Sequence, residues 1–319
     1  MSGLIVRQLA EGDLADADRI NRIAFGTFFG LETPSVFRGD GEVIAGRFAA
    51  DPDGAFAADI DGTLVACGFV MDWGSVGLLG PLTVDVEVWG RGIGRAMLDA
   101  MTRYMDSRNF VLQGLFTHPQ SPTHIRLYEA YGFRMQRITA VMDRAVDAAR
   151  EMPPTVRFYS ELTEKDRRAA LAECRRIADG AFSGLDLTRE ILSIDAKDFG
   201  DTILLGAEHA LTGFACCHQG AGSEAGSAQT LVKFAAVSPG GDARTEFVKL
   251  MVACENFAAL RGTKRLVAGT NTSRSACYDA LLDLGFRSWM NGIAMLRPAA
   301  DAGVDGYNVP GVFAVDDWR

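Results

Sequence analysis

The sequence predicts two tandem copies of one α+β domain, and three observations carry that reading. Residues 153 positions apart repeat: GFR occurs at Phe133 and again at Phe286. The same offset pairs Leu9 with Leu162, Asp13 with Asp166, Val84 with Val237, Arg91 with Arg244, Arg108 with Arg261, Thr117 with Thr270, Met142 with Met295 and Arg144 with Arg297. Each half alternates strand-like runs with helix-period runs, and Pro153-Pro154 interrupts regular structure between them. The expected division is 1–145 and 156–298, with a tail at 299–319.

In the first copy, Ile5–Leu9 reads as a strand and Leu14–Phe25 as an amphipathic helix. Strands follow at Ala55–Asp59 and Thr63–Met71, joined by the turn signal Asp61-Gly62. Val76–Val86 reads as the central strand, and Gly80-Pro81 within it signals a bulge. Next comes a glycine-rich turn, Gly90-Arg91-Gly92-Ile93-Gly94. The helix after it places Ile93, Ala96, Met97, Ala100, Met101, Tyr104 and Met105 on one face. A strand at Phe110–Thr117 and the short helix of LYEAYGF (Leu127–Phe133) close the pattern.

The second copy repeats this order. A helix ends near Asp179, and strands lie at Ile203–Ala207, Leu211–His218 and Leu231–Val237. A helix at Thr245–Leu260, a strand at Arg265–Gly269 and a helix at Ser275–Asp283 follow. Ala221–Ala228, small and polar, reads as a flexible hairpin tip. In the tail, Val312, Phe313, Val315 and Trp318 are too apolar for free solvent, which predicts partial docking.

Composition narrows the function. The 319 residues are 48% hydrophobic and 9% aromatic, with a formal charge of −9 and a pI near 5.0. Such acidity argues against nucleic acid as a main partner. No apolar run approaches a membrane span. The first residues lack a signal-peptide core, and six cysteines show no C-x-x-C spacing, which together suggest a reducing cytoplasm. Four histidines form no metal-ligand pattern, so no metal is expected.

The glycine turn carries the chemistry. Glycine lets the backbone take positive φ and approach a ligand, and a helix N-terminus binds anions such as a diphosphate. Neither the dinucleotide fingerprint nor the P-loop fits the spacing. The order of strand, RGIGRA, long helix, strand, tyrosine-bearing helix and Gly-Phe resembles the GNAT acyltransferase superfamily. Its Arg/Gln-x-x-Gly-x-Gly/Ala slot reads here Trp89-Gly90-Arg91-Gly92-Ile93-Gly94, with Trp89 departing at the first position.

The resemblance implies two GNAT-like domains, each a mixed, mostly antiparallel sheet flanked by helices. It implies acetyl-CoA as co-substrate, held by the backbone of Arg91, Gly92, Ile93, Gly94, Arg95 and Ala96. Leu82, Thr83 and Val84 stand where the superfamily's central strand meets the thioester. Tyr128 stands where it places the proton donor to the departing thiolate, and a phenol of pKa near 10 suits that task. His118, in Thr-His-Pro after a strand, is the candidate base; a loop histidine without a catalytic part is the competing reading. In the second copy Asp242 and Glu246 fall on the turn, the glycines are gone, and Leu281 replaces the tyrosine. That copy is expected to be non-catalytic, although Tyr278 lies one helical turn before Leu281. The function implied is acetyl transfer to a primary amine of a small-molecule acceptor. The alternative is a non-catalytic acyl-CoA sensor.

Overall fold

The computed structural model describes residues 3–298 and 306–319. The first half contains β1 (Leu4–Gln8), α1 (Leu14–Phe28), α2 (Ile44–Ala50), β2 (Ala55–Ile60), β3 (Thr63–Trp73), β4 (Val76–Val84), α3 (Ile93–Ser107), β5 (Leu112–Thr117), α4 (Pro122–Glu129) and β6 (Arg134–Ala145). The second contains β7 (Val156–Phe158), α5 (Glu164–Ala181), α6 (Thr188–Lys197), β8 (Gly200–Ala207), β9 (Ala210–Gly220), β10 (Gly226–Val237), α7 (Ala243–Leu260), β11 (Arg265–Asn271), α8 (Ser275–Asp283) and β12 (Arg287–Pro298). A short β13 (Ala314–Val315) lies in the tail. The two halves match element for element, as the sequence repeat requires. The expected α+β class and tandem duplication are both present.

All thirteen strands join one sheet, ordered β1-β2-β3-β4-β5-β12-β6-β11-β10-β9-β8-β7, with β13 on β10. Among the described residues, only β4–β5 and β10–β11 are parallel; the remaining pairs are antiparallel. The last strands are exchanged between copies. β12 lies beside β5, and β6 lies beside β11. Hydrogen bonding therefore runs across the division expected between residues 145 and 156, and each half's sheet is completed by the other.

Helices cover both faces. In α3, Ile93, Met97, Leu98, Met101 and Met105 turn inward and pack with Phe56, Val70, Leu79 and Phe133. On the opposite face Ala17 and Ile20 of α1 pack with Cys67 and Phe69. A third cluster joins the copies. Trp73, Val76 and Leu78 meet Phe214 and Phe234, and the tail adds Tyr307 and Trp318. In the tail Tyr307, Ala314, Val315 and Trp318 are buried, while Pro310 and Gly311 are exposed; residues 299–305 lie outside the described residues.

Two readings need correction. The tip at Ala221–Ala228 is not a loose loop: Ser223 is fully buried and Glu224 is 7% exposed. Glu42 N–H donates to the Ser223 carbonyl at 2.8 Å, and Gly222 N–H to that of Asp40 at 2.9 Å, so the tip docks on the first copy. Second, β4 ends at Val84, and a 3-10 turn at Val86–Val88 follows, capped by Asp85 accepting from Glu87 N–H at 3.1 Å.

Candidate active site

β4 and β5 run together only from Val76 to Leu79, paired with Leu112 to Leu115. Beyond them no ladder joins the two strands, which opens a gap in the sheet. The cause lies in β4. Its pairing with β3 passes from Val70↔Leu79 to Gly68↔Leu82, so Gly80 and Pro81 face the single residue Phe69. This is the bulge that Gly80-Pro81 signalled, and it bends the strand. Leu82, Thr83 and Val84 then continue along the rim of the gap, paired on their other side with Gly68, Cys67 and Ala66.

The strand leads into the glycine turn. Gly90 has φ 78° and Gly92 φ 76°, both in the left-handed region, and Gly92 caps α3. The N–H groups of Arg95 and Ala96 turn back to the Gly92 carbonyl at 3.1 and 3.2 Å. Among the described residues, the amides of Gly90 to Gly94 donate to no group of the chain. Arg91, Gly92 and Arg95 are exposed. The result is a set of free donors at the positive end of a fifteen-residue helix, a suitable seat for a diphosphate. Trp89, in the departing position, is 49% exposed and donates Nε1–H to the Val84 carbonyl at 2.8 Å.

α4 packs beside this turn, with Leu127 near Gly94. Tyr131 fixes it there, donating to Asp99 Oδ1 at 2.7 Å and to the Arg95 carbonyl at 3.0 Å. Tyr128 is half-buried, edge-on to Phe133 at 6.3 Å, and its hydroxyl has no partner among the described residues. Burial pushes its pKa up to about 12.

His118 follows β5. Phe28, Phe29 and Phe116 surround its ring at 5.3, 5.0 and 5.4 Å. Nδ1 is buried without a partner, and His124 stands nearby, stacked on Phe28. Burial, aided by His124 and Arg319, pushes the His118 pKa down to about 4. The imidazole is thus neutral at physiological pH but a weak base.

A further group was not legible in the sequence. Asn21 on α1 is 1% exposed, and neither atom of its amide is hydrogen-bonded among the described residues. One turn earlier, the Ala17 carbonyl lies 3.8 Å from the Cys67 thiol, which touches Thr83 Oγ1 at 3.1 Å. Asn21 and Ala17 are one turn apart and share a face of α1. Only a buried polar residue on an otherwise apolar helix face hinted at it.

The second copy has the corresponding gap, since β10 and β11 pair only at Thr230–Leu231 with Leu266–Val267. Its own tail fills it. β13 pairs with Ala235 and Ala236, the repeat partners of Leu82 and Thr83. The Ala314 carbonyl accepts from Thr270 Oγ1 at 3.1 Å, Arg274 Nη1 at 3.1 Å and Cys277 Sγ at 3.3 Å. Arg274, fully buried, lies over the Tyr307 ring at 4.1 Å and pairs with Asp316 at 3.3 Å. Glu246 is tied to Thr212 and Lys249, both at 2.6 Å. Tyr278 lines a separate open groove with Arg137, Thr272 and Asn291.

Residues 19–133 match the model of the acetyltransferase (GNAT) family. No curated protein matches the sequence. Solved structures resemble the whole chain. A candidate acetyltransferase from Pyrococcus horikoshii superposes with a TM-score of 0.69 at 13% identity, covering 100% of this chain and 96% of that one. A GCN5-related N-acetyltransferase from Sphaerobacter thermophilus gives 0.58 at 16%, over 94% and 98%. A tandem GNAT protein from the clavulanic acid biosynthesis pathway gives 0.56 at 15%, over 95% and 99%. At these identities the structural likeness speaks for the fold, and the family match for the first copy. The first copy, the one with the open gap and the glycine turn, thus matches the acetyltransferase (GNAT) family, and the whole chain shares its fold with a tandem GNAT protein.

Proposed function

We propose that the protein is an acetyl-CoA-dependent N-acetyltransferase acting on the primary amine of a small molecule, with the first copy catalytic. The observation that carries this is the continuity of three features: an open strand edge at Leu82–Val84, free amides at Gly90–Gly94, and a free phenol on α4 beside them. Acetyl-CoA, when bound, supplies an activated acyl group on sulfur. The amides of Arg91 to Gly94 and the side chains of Arg91 and Arg95 bind its diphosphate; the Arg95 and Ala96 amides are engaged by the Gly92 carbonyl. N–H groups on the rim, from Leu82 to Val84, polarise the thioester carbonyl. The acceptor nitrogen bonds to the carbonyl carbon as the C–S bond breaks, and Tyr128 gives its proton to the leaving sulfur. A pKa near 12 keeps Tyr128 protonated until that sulfur demands the proton.

The proton leaving the amine goes to water or to His118. Depression of the His118 pKa makes it a poor proton sink at neutral pH, so an amine that arrives uncharged fits the site best. The same observation supports a second reading, an acyl-CoA sensor that binds and does not transfer. Titration with acetyl-CoA followed by an amine panel scored for free CoA separates the two. Binding with acceptor-dependent CoA release is expected; binding without release from any amine would favour the sensor.

A further inference from the structure

The open gap in the first copy begins at Gly80, and the residue that grips Gly80 is tied to the second copy. Arg47 on α2 is 3% exposed. Its Nη1 donates to the Gly80 carbonyl at 2.7 Å and its Nε to Glu224 Oε1 at 2.8 Å. Nη2 donates to the main-chain oxygen of Arg319. Glu224, from the docked tip between β9 and β10, also receives Lys233 Nζ at 2.6 Å. Burial alone would raise the Glu224 pKa, but Arg47 and Lys233 hold the carboxyl well below its usual range. The carboxylate is therefore ionised and fixed.

A bulge takes backbone groups out of the ladder, and a buried carbonyl without a donor is costly. A guanidinium is rigid, planar and able to donate in several directions at once. Arg47 uses that fork to hold a bulge carbonyl on one side and a carboxylate of the other copy on the next. Lysine carries the charge without the fork. The second copy, stripped of its glycine turn and filled by the tail, thus still touches the strand on which the thioester is to be read.

We propose that Arg47 is a positioning residue. Oriented by Glu224, it fixes the bulge at Gly80 and so aims the amides of Leu82 to Val84 at the thioester carbonyl. The proposal rests on the assignment of the first copy as the acetyl-CoA site. It makes a specific claim: Arg47 governs recognition of the acetyl group and not of the CoA body, which the turn at Gly90–Gly94 holds.

Calorimetric titration of the full chain with acetyl-CoA and, separately, with free CoA tests this. For Arg47→Lys and Glu224→Gln, acetyl-CoA binding weakens about tenfold, the scale of one charge-assisted hydrogen bond, while CoA binding stays at the parent value. Unchanged CoA affinity also reports that each variant is folded. Glu255→Gln provides the structural comparison. Glu255 is 1% exposed and pairs with Arg144 at 3.0 Å, away from β4. That variant melts earlier and loses no preference for acetyl-CoA. If Arg47→Lys and Glu224→Gln bind both ligands like the parent, or lose both equally, the positioning role is wrong while the site assignment stands. A parent that binds neither ligand overturns the site assignment and the positioning role together.

Discussion

Gly92 is the most exacting position in the proposed diphosphate site. Its φ of 76° belongs to the left-handed region, and it caps the helix whose first amides are free. Any side chain there costs about 1–2 kcal/mol of backbone strain. Gly92→Ala carries that cost alone. Gly92→Asp adds a negative charge beside the bound diphosphate. At about 5 Å and an effective dielectric of about 20, one pair of like charges repels by roughly 3 kcal/mol, falling to roughly 0.8 kcal/mol in bulk water. Both variants should melt a few degrees below the parent, and the aspartate should bind acetyl-CoA at least tenfold more weakly than the alanine. The assay is calorimetry at about 0.1 M and about 1 M salt, where the screening length falls from roughly 10 to roughly 3 Å. The ratio between the two variants should shrink at high salt, because only their difference is electrostatic. Parent-like acetyl-CoA affinity in Gly92→Asp would refute the reasoning and move the site elsewhere.

Three further outcomes follow from the same geometry. Tyr128→Phe should leave acetyl-CoA affinity near the parent's and reduce kcat roughly 10- to 1000-fold, measured with an amine the parent acetylates; unchanged kcat would remove Tyr128 as the acid. His118 is held neutral in the folded protein, with its pKa lowered from 6.5 to about 4, so the unfolded chain takes up its proton first as pH falls. The contribution to stability is complete above pH 6.5 and declines toward pH 4; His118→Phe should flatten that part of the stability profile, and an unaltered slope would contradict the assignment. Asp316→Ala strips the buried Arg274 of its carboxylate and should cost about 3–5 kcal/mol, read in denaturant unfolding; a parent-like midpoint would contradict the pairing.

Much of this architecture was legible because it is local. The glycine turn, the apolar face of α3 and the bulge at Gly80-Pro81 each depend on neighbours in sequence, and the offset of 153 residues carried the second copy with them. What escaped is non-local or short. α2 spans only Ile44–Ala50 and contains Gly46, too brief for a helical period to stand out. β6 and β12 show no sign in their own sequences of pairing with the opposite copy. Ala221–Ala228 looked like a free tip because small polar residues usually are; Glu224 is buried because Arg47, 177 residues away, receives it. The reading of His118 as a candidate base likewise could not register Phe28 and Phe29, which α1 brings against it. The apolar residues of the tail say nothing of where it lies; its place in the second copy's gap depends on strand pairing at Ala235 and Ala236.

In the proposed arrangement one copy is open to acetyl-CoA and the other is closed by its own tail. Titration of the intact chain with acetyl-CoA in a calorimeter tests it most directly. A single site per chain is expected, abolished or strongly weakened by Gly92→Asp and retained in Glu246→Gln. Two equivalent sites, or one site that survives Gly92→Asp but is altered by Glu246→Gln, would contradict it.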